Sequence, residues 1–415
     1  MDARQEQGLQ IAALSKIERN PLGWKVPSQS GKGSYVVKVG QEPYCTCPDF
    51  EERKLPCKHV YAVEFVIQRE ERVDGTTTYT ESVKVTYTQD WPAYNAAQVN
   101  EQERFTHLLR DLCDGIPQPP QSKGRPRLPL NDVVFGMVSK VYSTMSGRRH
   151  MTDLRDAQGR GFVMKAPHYN STFRYLDNPA LTPILKGLIE QSAMPLKAIE
   201  SDFAVDSSGF TTSVYDRWFD HKYGKVRSEH KWVKAHMMCG VKTKVITSVE
   251  VTPTETADAP QFPGLVGATA QNFGIREVSG DKAYSSRRNL HAVEAAGGTA
   301  YIPFKSNTNG VGKSFDGLWN TMWGYYTYNR ARFLEHYHKR SNAETAFSMV
   351  KAKFGTKVRS KSPTAQVNEV LCKFLAHNIC VLIQSMYELG VQPEFWTTIG
   401  ADRTVAPKAL NEIAF

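Results

Sequence analysis

Residues 337–351 read YHKRSNAETAFSMVK. Tyr337, Arg340, Glu344 and Lys351 follow one another at steps of three, four and seven. On a helix of about 3.6 residues per turn those steps return to nearly the same face. A phenol, a guanidinium, a carboxylate and an ammonium would then line one stripe. A carboxylate flanked by cations suits a place where a metal ion meets a polyanion: the acid can hold the metal and the cations can take phosphate oxygens. The plainer reading is a solvated helix laced with i,i+4 charge pairs. Two aspartates elsewhere, Asp206 and Asp281, favour the first reading, because each ends a strand-like run.

The run 195–210, PLKAIESDFAVDSSGF, predicts a short strand ending at Asp206, before a Ser-Ser-Gly turn. Residues 232–252 predict a hairpin that turns near Lys242 and Thr243. The stretch 275–297, IREVSGDKAYSSRRNLHAVEAAG, reads as strand, Asp281, loop and helix, and TAYIPF at 299–304 is another strand. Strands followed by helices fit an α/β fold, a mixed sheet flanked by helices. The apolar stretch 367–390 predicts a helix packed on the sheet; Lys373, His377, Asn378 and Gln384 interrupt it, which argues for a buried helix and against a membrane span. An aspartate at a strand end is common in turns, so no single acid carries the argument.

Together, Tyr-x2-Arg-x3-Glu-x6-Lys at 337–351, DSSGF from Asp206 and D-x-AY at Asp281 resemble the motifs of bacterial insertion-sequence transposases of the DDE type, in the same order. The resemblance spans residues 125–390. It implies an RNase H-like core with Asp206, Asp281 and Glu344 as the catalytic acids, holding two Mg2+ (or Mn2+) ions. It implies Tyr337, Arg340 and Lys351 as supporting residues on DNA phosphates. The implied activity is metal-dependent DNA strand cleavage and strand transfer, on terminal inverted repeats and target DNA. A homodimer would bring two ends together, in a cytoplasmic, nucleoid-associated prokaryotic setting. Two rival readings keep the same scaffold: a domesticated DNA-binding regulator, and a DNA nuclease without strand transfer. Trp319 and Trp323, one helical turn apart, offer either a shelf for a flipped base or ordinary core packing.

The composition agrees with a polyanionic partner without requiring one: formal net charge is +10 over 415 residues. No run of roughly eighteen apolar residues exists, and the opening MDARQEQGLQ lacks a signal-peptide pattern. Of the seven cysteines, Cys113, Cys239, Cys372 and Cys380 are scattered, as buried thiols of a reducing compartment are.

The other three cysteines crowd together. An alternating run, SYVVKVG, leads through a short hairpin into Cys45-Thr46-Cys47; Cys57-Lys58-His59 follows, then an amphipathic helix, VYAVEFVIQREE. Three thiolates and an imidazole match the tetrahedral preference of Zn2+, whereas a Cys45–Cys47 disulfide would be badly strained. Four protein ligands leave no open position, so this zinc knuckle is structural. Cys-x-Cys-x9-Cys-x-His between hairpin and helix resembles a SWIM zinc finger.

Between knuckle and core, 100–115 has helical period ending at Gly115, and 116–131 is a Pro-rich linker. Its Gly124-Arg125-Pro126-Arg127 resembles a minor-groove hook, with Arg125 and Arg127 the contact candidates. From Asn131, short helices with polar turns suggest a helix-turn-helix-like DNA-binding region. Arg148, Arg149, Asn170, Thr172 and Arg174 are its candidate DNA contacts, with 168–178 as the recognition helix. The expected organisation is 1–75 zinc finger, 76–130 helix and linker, 131–195 helical DNA-binding region, 196–390 catalytic domain and 391–415 tail. On this plan the chain from about residue 125 onward folds without what precedes it.

Overall fold

The computed structural model describes residues 3–20, 23–28, 33–39, 43–71, 77–81, 90–121, 123–124, 126–212, 232–305, 308 and 316–396. Arg125 of the hook and the tail beyond 396 lie outside them. Contacts divide the chain into two compact units, 1–89 and 90–415.

In the first unit, α1 (Ala3–Leu14) packs on α3 (Lys58–Val66). Four antiparallel strands lie in chain order: β1 (Glu18–Asn20), β2 (Gly23–Pro27), β3 (Ser34–Lys38) and β4 (Tyr44–Cys45). A short α2 (Pro48–Arg53) links the two halves of the knuckle. The expected helix after His59 stops at Val66; Ile67–Glu71 (β5) is a strand paired antiparallel with Thr77–Glu81 (β6). The β-branched and threonine-rich stretch satisfies its backbone across a hairpin instead.

The second unit is built on a five-stranded sheet in the order β11-β10-β7-β8-β9. The strands are β7 (Asp202–Thr211), β8 (Trp232–Gly240), β9 (Ile246–Pro253), β10 (Glu277–Gly280) and β11 (Thr299–Tyr301). Strands β7, β8 and β9 are antiparallel neighbours, while β10 and β11 run parallel to β7. Asp206 does not end a strand before a turn: β7 continues through Ser207-Ser208-Gly209 to Thr211. Gly209 makes this possible, since a Cβ there would meet the Trp232 ring at 1.9 Å. The Ser-Ser-Gly signal was one of close approach, which glycine also serves.

Helices α4 (Trp91–Val99), α5 (Glu101–Asp114), α6 (Leu130–Tyr142), α7 (Gly147–Gly159), α8 (Tyr169–Leu176) and α9 (Leu181–Ala193) form no separate body. Phe105, Leu109 and Leu112 of α5 and Val134, Met137 and Val138 of α6 are buried in the same core as the sheet. A chain starting near residue 125 would therefore lack α4 and α5 and expose that apolar surface.

At the centre runs the apolar helix, Pro363–Glu388, long enough for a membrane span but buried over 78% of its most apolar window. Its polar side chains are the stitches between layers. Asn378 accepts from the Ile246 amide at 2.8 Å and donates to Ile246 O at 2.7 Å and Ser192 Oγ at 2.9 Å. His377 Nε2 sits 3.0 Å from Lys244 O. Buried polar groups persist where they are satisfied in this way.

Candidate active site and zinc centre

The remaining helices include the one that carries the third acid. They are α10 (Phe262–Asn272), α11 (Arg287–Ala295), α12 (Gly317–Tyr328), α13 (Arg330–Tyr337), α14 (Ser341–Phe354) and α15, the central helix Pro363–Glu388. Parallel pairing sets Gly280 against Val205, so Asp281, the first residue past β10, comes beside Asp206 of β7. Glu344 lies in the first turn of α14. Arg340 joins it to the sheet, with Nη2 2.6 Å from Glu344 Oε1 and Nη1 3.5 Å from Asp206 Oδ2. Desolvation raises the Asp206 carboxyl above its usual range; Arg340 opposes this and the charges of Asp281 and Glu344 add to it. Three acids thus share one electrostatic field.

Asp281 gives one oxygen to the Ala283 amide (2.7 Å), and Glu344 gives one to Arg340. Each keeps a second oxygen with no protein partner among the described residues. Hard oxygen donors of this kind fit Mg2+ or Mn2+. The three carboxylates do not all lie within 4.8 Å of one another. A two-metal site with ions about 4 Å apart does not require that, if only one acid is shared.

The stripe on 337–351 is not one continuous helix. α13 ends at Tyr337, a 3-10 turn covers His338–Arg340, and α14 begins at Ser341. Tyr337 and Arg340 still face each other, ring centroid to Cζ 5.9 Å. Lys351 Nζ donates to Ser208 Oγ at 2.6 Å, two residues along β7 from Asp206, and burial lowers its pKa.

Sequence reading missed what anchors that turn. Lys339 Nζ lies 2.8 Å from Asp202 Oδ2 and 2.6 Å from Glu277 Oε2, the first residues of β7 and β10. Arg276 also holds Asp202, and His336 Nδ1 is 2.9 Å from Glu277. The signal was present: an acid stands four residues before Asp206 and before Asp281, on the same strand face. The upstream acids are neutralised by fixed cations; downstream, Arg340 reaches Asp206 and Glu344 only.

Trp319 packs edge-on against Phe304 at 4.8 Å, and Trp323 Nε1 donates to Thr308 O at 3.3 Å; both are half-buried. These contacts are what core packing gives, and each ring keeps part of its surface open. On the helical face, Arg148, Arg149, Asn170 and Arg174 are exposed, and Arg148 lies over the Tyr169 ring at 5.6 Å. Thr172 is only 4% exposed and cannot reach a base edge, because its side of α8 packs inward. Arg127 is exposed.

In the first unit, Cys45 ends β4, Cys47 caps α2, Cys57 precedes α3 and His59 lies in its first turn. Their ligand atoms lie within 4.8 Å of one another, all buried. Cys47 Sγ is 3.5 Å from Cys57 Sγ, and His59 Nδ1 is 3.8 Å from Cys57 Sγ. Hydrogen bonding from Cys45 pushes the Cys57 thiol down to about 4. Cys45 is pushed up by the same contact. Three thiols in one buried spot cannot all ionise without a cation to share, and Cys45, Cys47, Cys57 and His59 would hold a zinc ion that supplies it.

Two known family models match parts of the chain. Residues 197–379 match the family model "Transposase DDE domain", and residues 35–68 match "SWIM zinc finger". No solved structure matches the chain. The chain thus carries a DDE transposase domain, which implies an RNase H-like fold and a divalent metal, behind a SWIM zinc finger whose four ligands support structural zinc.

Proposed function

We propose that this protein cuts and joins DNA, binding terminal inverted repeats, cleaving at their 3′ ends and transferring those ends to target DNA. The observation that carries the reading is the juxtaposition of Asp206, on β7, and Asp281, just past the parallel strand β10, with Glu344 tied to the same spot through Arg340. Asp206, Asp281 and Glu344 would hold two Mg2+ (or Mn2+) ions, which would activate the attacking oxygen and stabilise the leaving one in an in-line displacement. Arg340 is already shared between acids, so metal binding would free its guanidinium for a phosphate. Lys351, held at Ser208 of β7, and Tyr337, beside Arg340, would grip the strand backbone. Arg127, Arg148, Arg149, Asn170 and Arg174 are proposed to meet DNA away from the cut. A homodimer would pair two ends in the prokaryotic nucleoid.

The test is cleavage of end-containing DNA in Mg2+ by wild type and Asp281→Ala. Loss of roughly a thousandfold or more is expected, the several kcal/mol that metal charge stabilisation supplies. Equal cutting by the two would overturn the assignment. Pre-cut 3′-OH ends with a target plasmid then separate transfer from a simple nuclease, since only a transposase joins them.

A further inference from the structure

Lys140 lies in the last turn of α6 and is 6% exposed, and its side chain has no hydrogen bond or ion pair among the described residues, its ammonium keeping contact with solvent at the mouth of a cleft. An ammonium whose stem is packed but whose head has no protein partner is held ready for an anion from outside. Its side chain lines a small cleft of about 20 Å³ shared with Thr144, Lys357, Arg359, Glu369 and Lys373. Four cations therefore face one carboxylate. That carboxylate is already used: Glu369 accepts from the Arg359 and Ser360 amides at 3.0 and 2.8 Å and from Ser360 Oγ at 2.7 Å. Lys373 is turned to the Gly355 and Lys357 carbonyls at 2.8 and 2.7 Å. Burial first, and then the neighbouring cations against Glu369, bring Lys373 down to about 8. The C-terminal dipole of α6 offsets part of the cost at Lys140 but does not cancel three neighbouring positive charges. Thr144 closes the rim in a left-handed conformation (φ 56°), which a β-branched residue seldom adopts.

We propose that this cleft is a seat for a phosphate group, supplied either by a DNA backbone or as free phosphate. Its volume admits about one water-sized group, so one or two phosphate oxygens enter and the rest stands in the mouth. Lys140 would meet the phosphate from one wall, and the exposed Lys357 and Arg359 would close on the outer oxygens. The place also suits DNA. Thr211 donates to Thr356 O at 3.0 Å and accepts from the Val358 amide at 2.9 Å, so the cleft's outer wall extends the end of β7. Along that strand Asp206 is roughly 16 Å away. The seat does not depend on the acids being catalytic.

The experiment follows thermal unfolding of the full zinc-loaded chain in inorganic phosphate against chloride at equal ionic strength. Wild type is expected to gain Tm in phosphate. Lys140→Met should lose that gain and melt higher than wild type in phosphate-free buffer, because it removes the unpaired charge. Arg359→Gln, at an exposed position, should also lose the gain, and covers the case that Lys140→Met misfolds. A phosphate gain that survives in either folded variant, or that is missing in wild type, overturns the site. A random-sequence duplex separates the sources. A backbone seat makes Lys140→Met lower the salt slope of binding by about one. Unchanged DNA binding with the phosphate gain intact in wild type assigns the seat to free phosphate.

Discussion

The two units solve the metal problem in opposite ways. In 1–89 the donors are soft, buried and drawn within 4.8 Å of one another, and three of them, Cys45, Cys47 and Cys57, are themselves part of a small apolar core. In 90–415 the proposed donors are hard oxygens, on the central strand β7, just past β10 and on α14; Glu344 is exposed, and its neighbour Arg340 supplies countercharge. There the core is large, runs through every helix from α4 to α9 and the sheet, and contains none of the three acids. A small core needs its metal to fold, whereas a large one can leave its metal site open for chemistry.

The largest effect should come from zinc. Binding free energies of structural zinc in small domains are roughly 10–16 kcal/mol near neutral pH, more than a small unit's whole stability. Chelation or Cys57→Ser should abolish protection from protease within 1–89 while leaving 90–415 intact. Fragment mapping with zinc analysis reads both. A zinc content unchanged in Cys57→Ser, or protection of 1–89 without metal, would remove the contrast.

Much of this contrast was readable beforehand. Cys-x-Cys and Cys-x-His give chelating arms whatever surrounds them, so the zinc ligands needed no tertiary information. The acids were readable as types in context, since β10 ends before Asp281 and α14 carries Glu344 in its first turn. What was hidden depends on pairing across the chain. Asp202 and Glu277 look as catalytic as their downstream neighbours until Lys339, Arg276 and His336 arrive from elsewhere. Thr172 looked like a base reader because an eight-residue helix does not reveal which side packs. The break at His338–Arg340 was invisible because periodicity treats a 3-10 turn as helix.

A smaller effect separates the units by pH. Burial pushes Glu190 on α9 up to about 7 from a usual 4.5. Between those values the folded state holds a proton that the unfolded state has lost. Stability of 90–415 therefore falls as pH rises through that window. Glu190→Gln should flatten the fall and raise Tm by a few degrees at pH 8, read by thermal melts across pH. An unchanged slope would mean that other groups govern it. The zinc unit should show the reverse trend, losing stability as pH falls and its ligands protonate.

The most direct test of the central claim is Mn2+ binding to the zinc-loaded chain, followed by the paramagnetic resonance of free Mn2+. Wild type is compared with Asp206→Ala, Asp281→Ala and Glu344→Ala. If the three acids share divalent cations, each substitution weakens binding by about tenfold or more, with zinc content and Tm retained. If any one of the three variants binds Mn2+ as wild type does, the acids do not form one metal site and the account is contradicted.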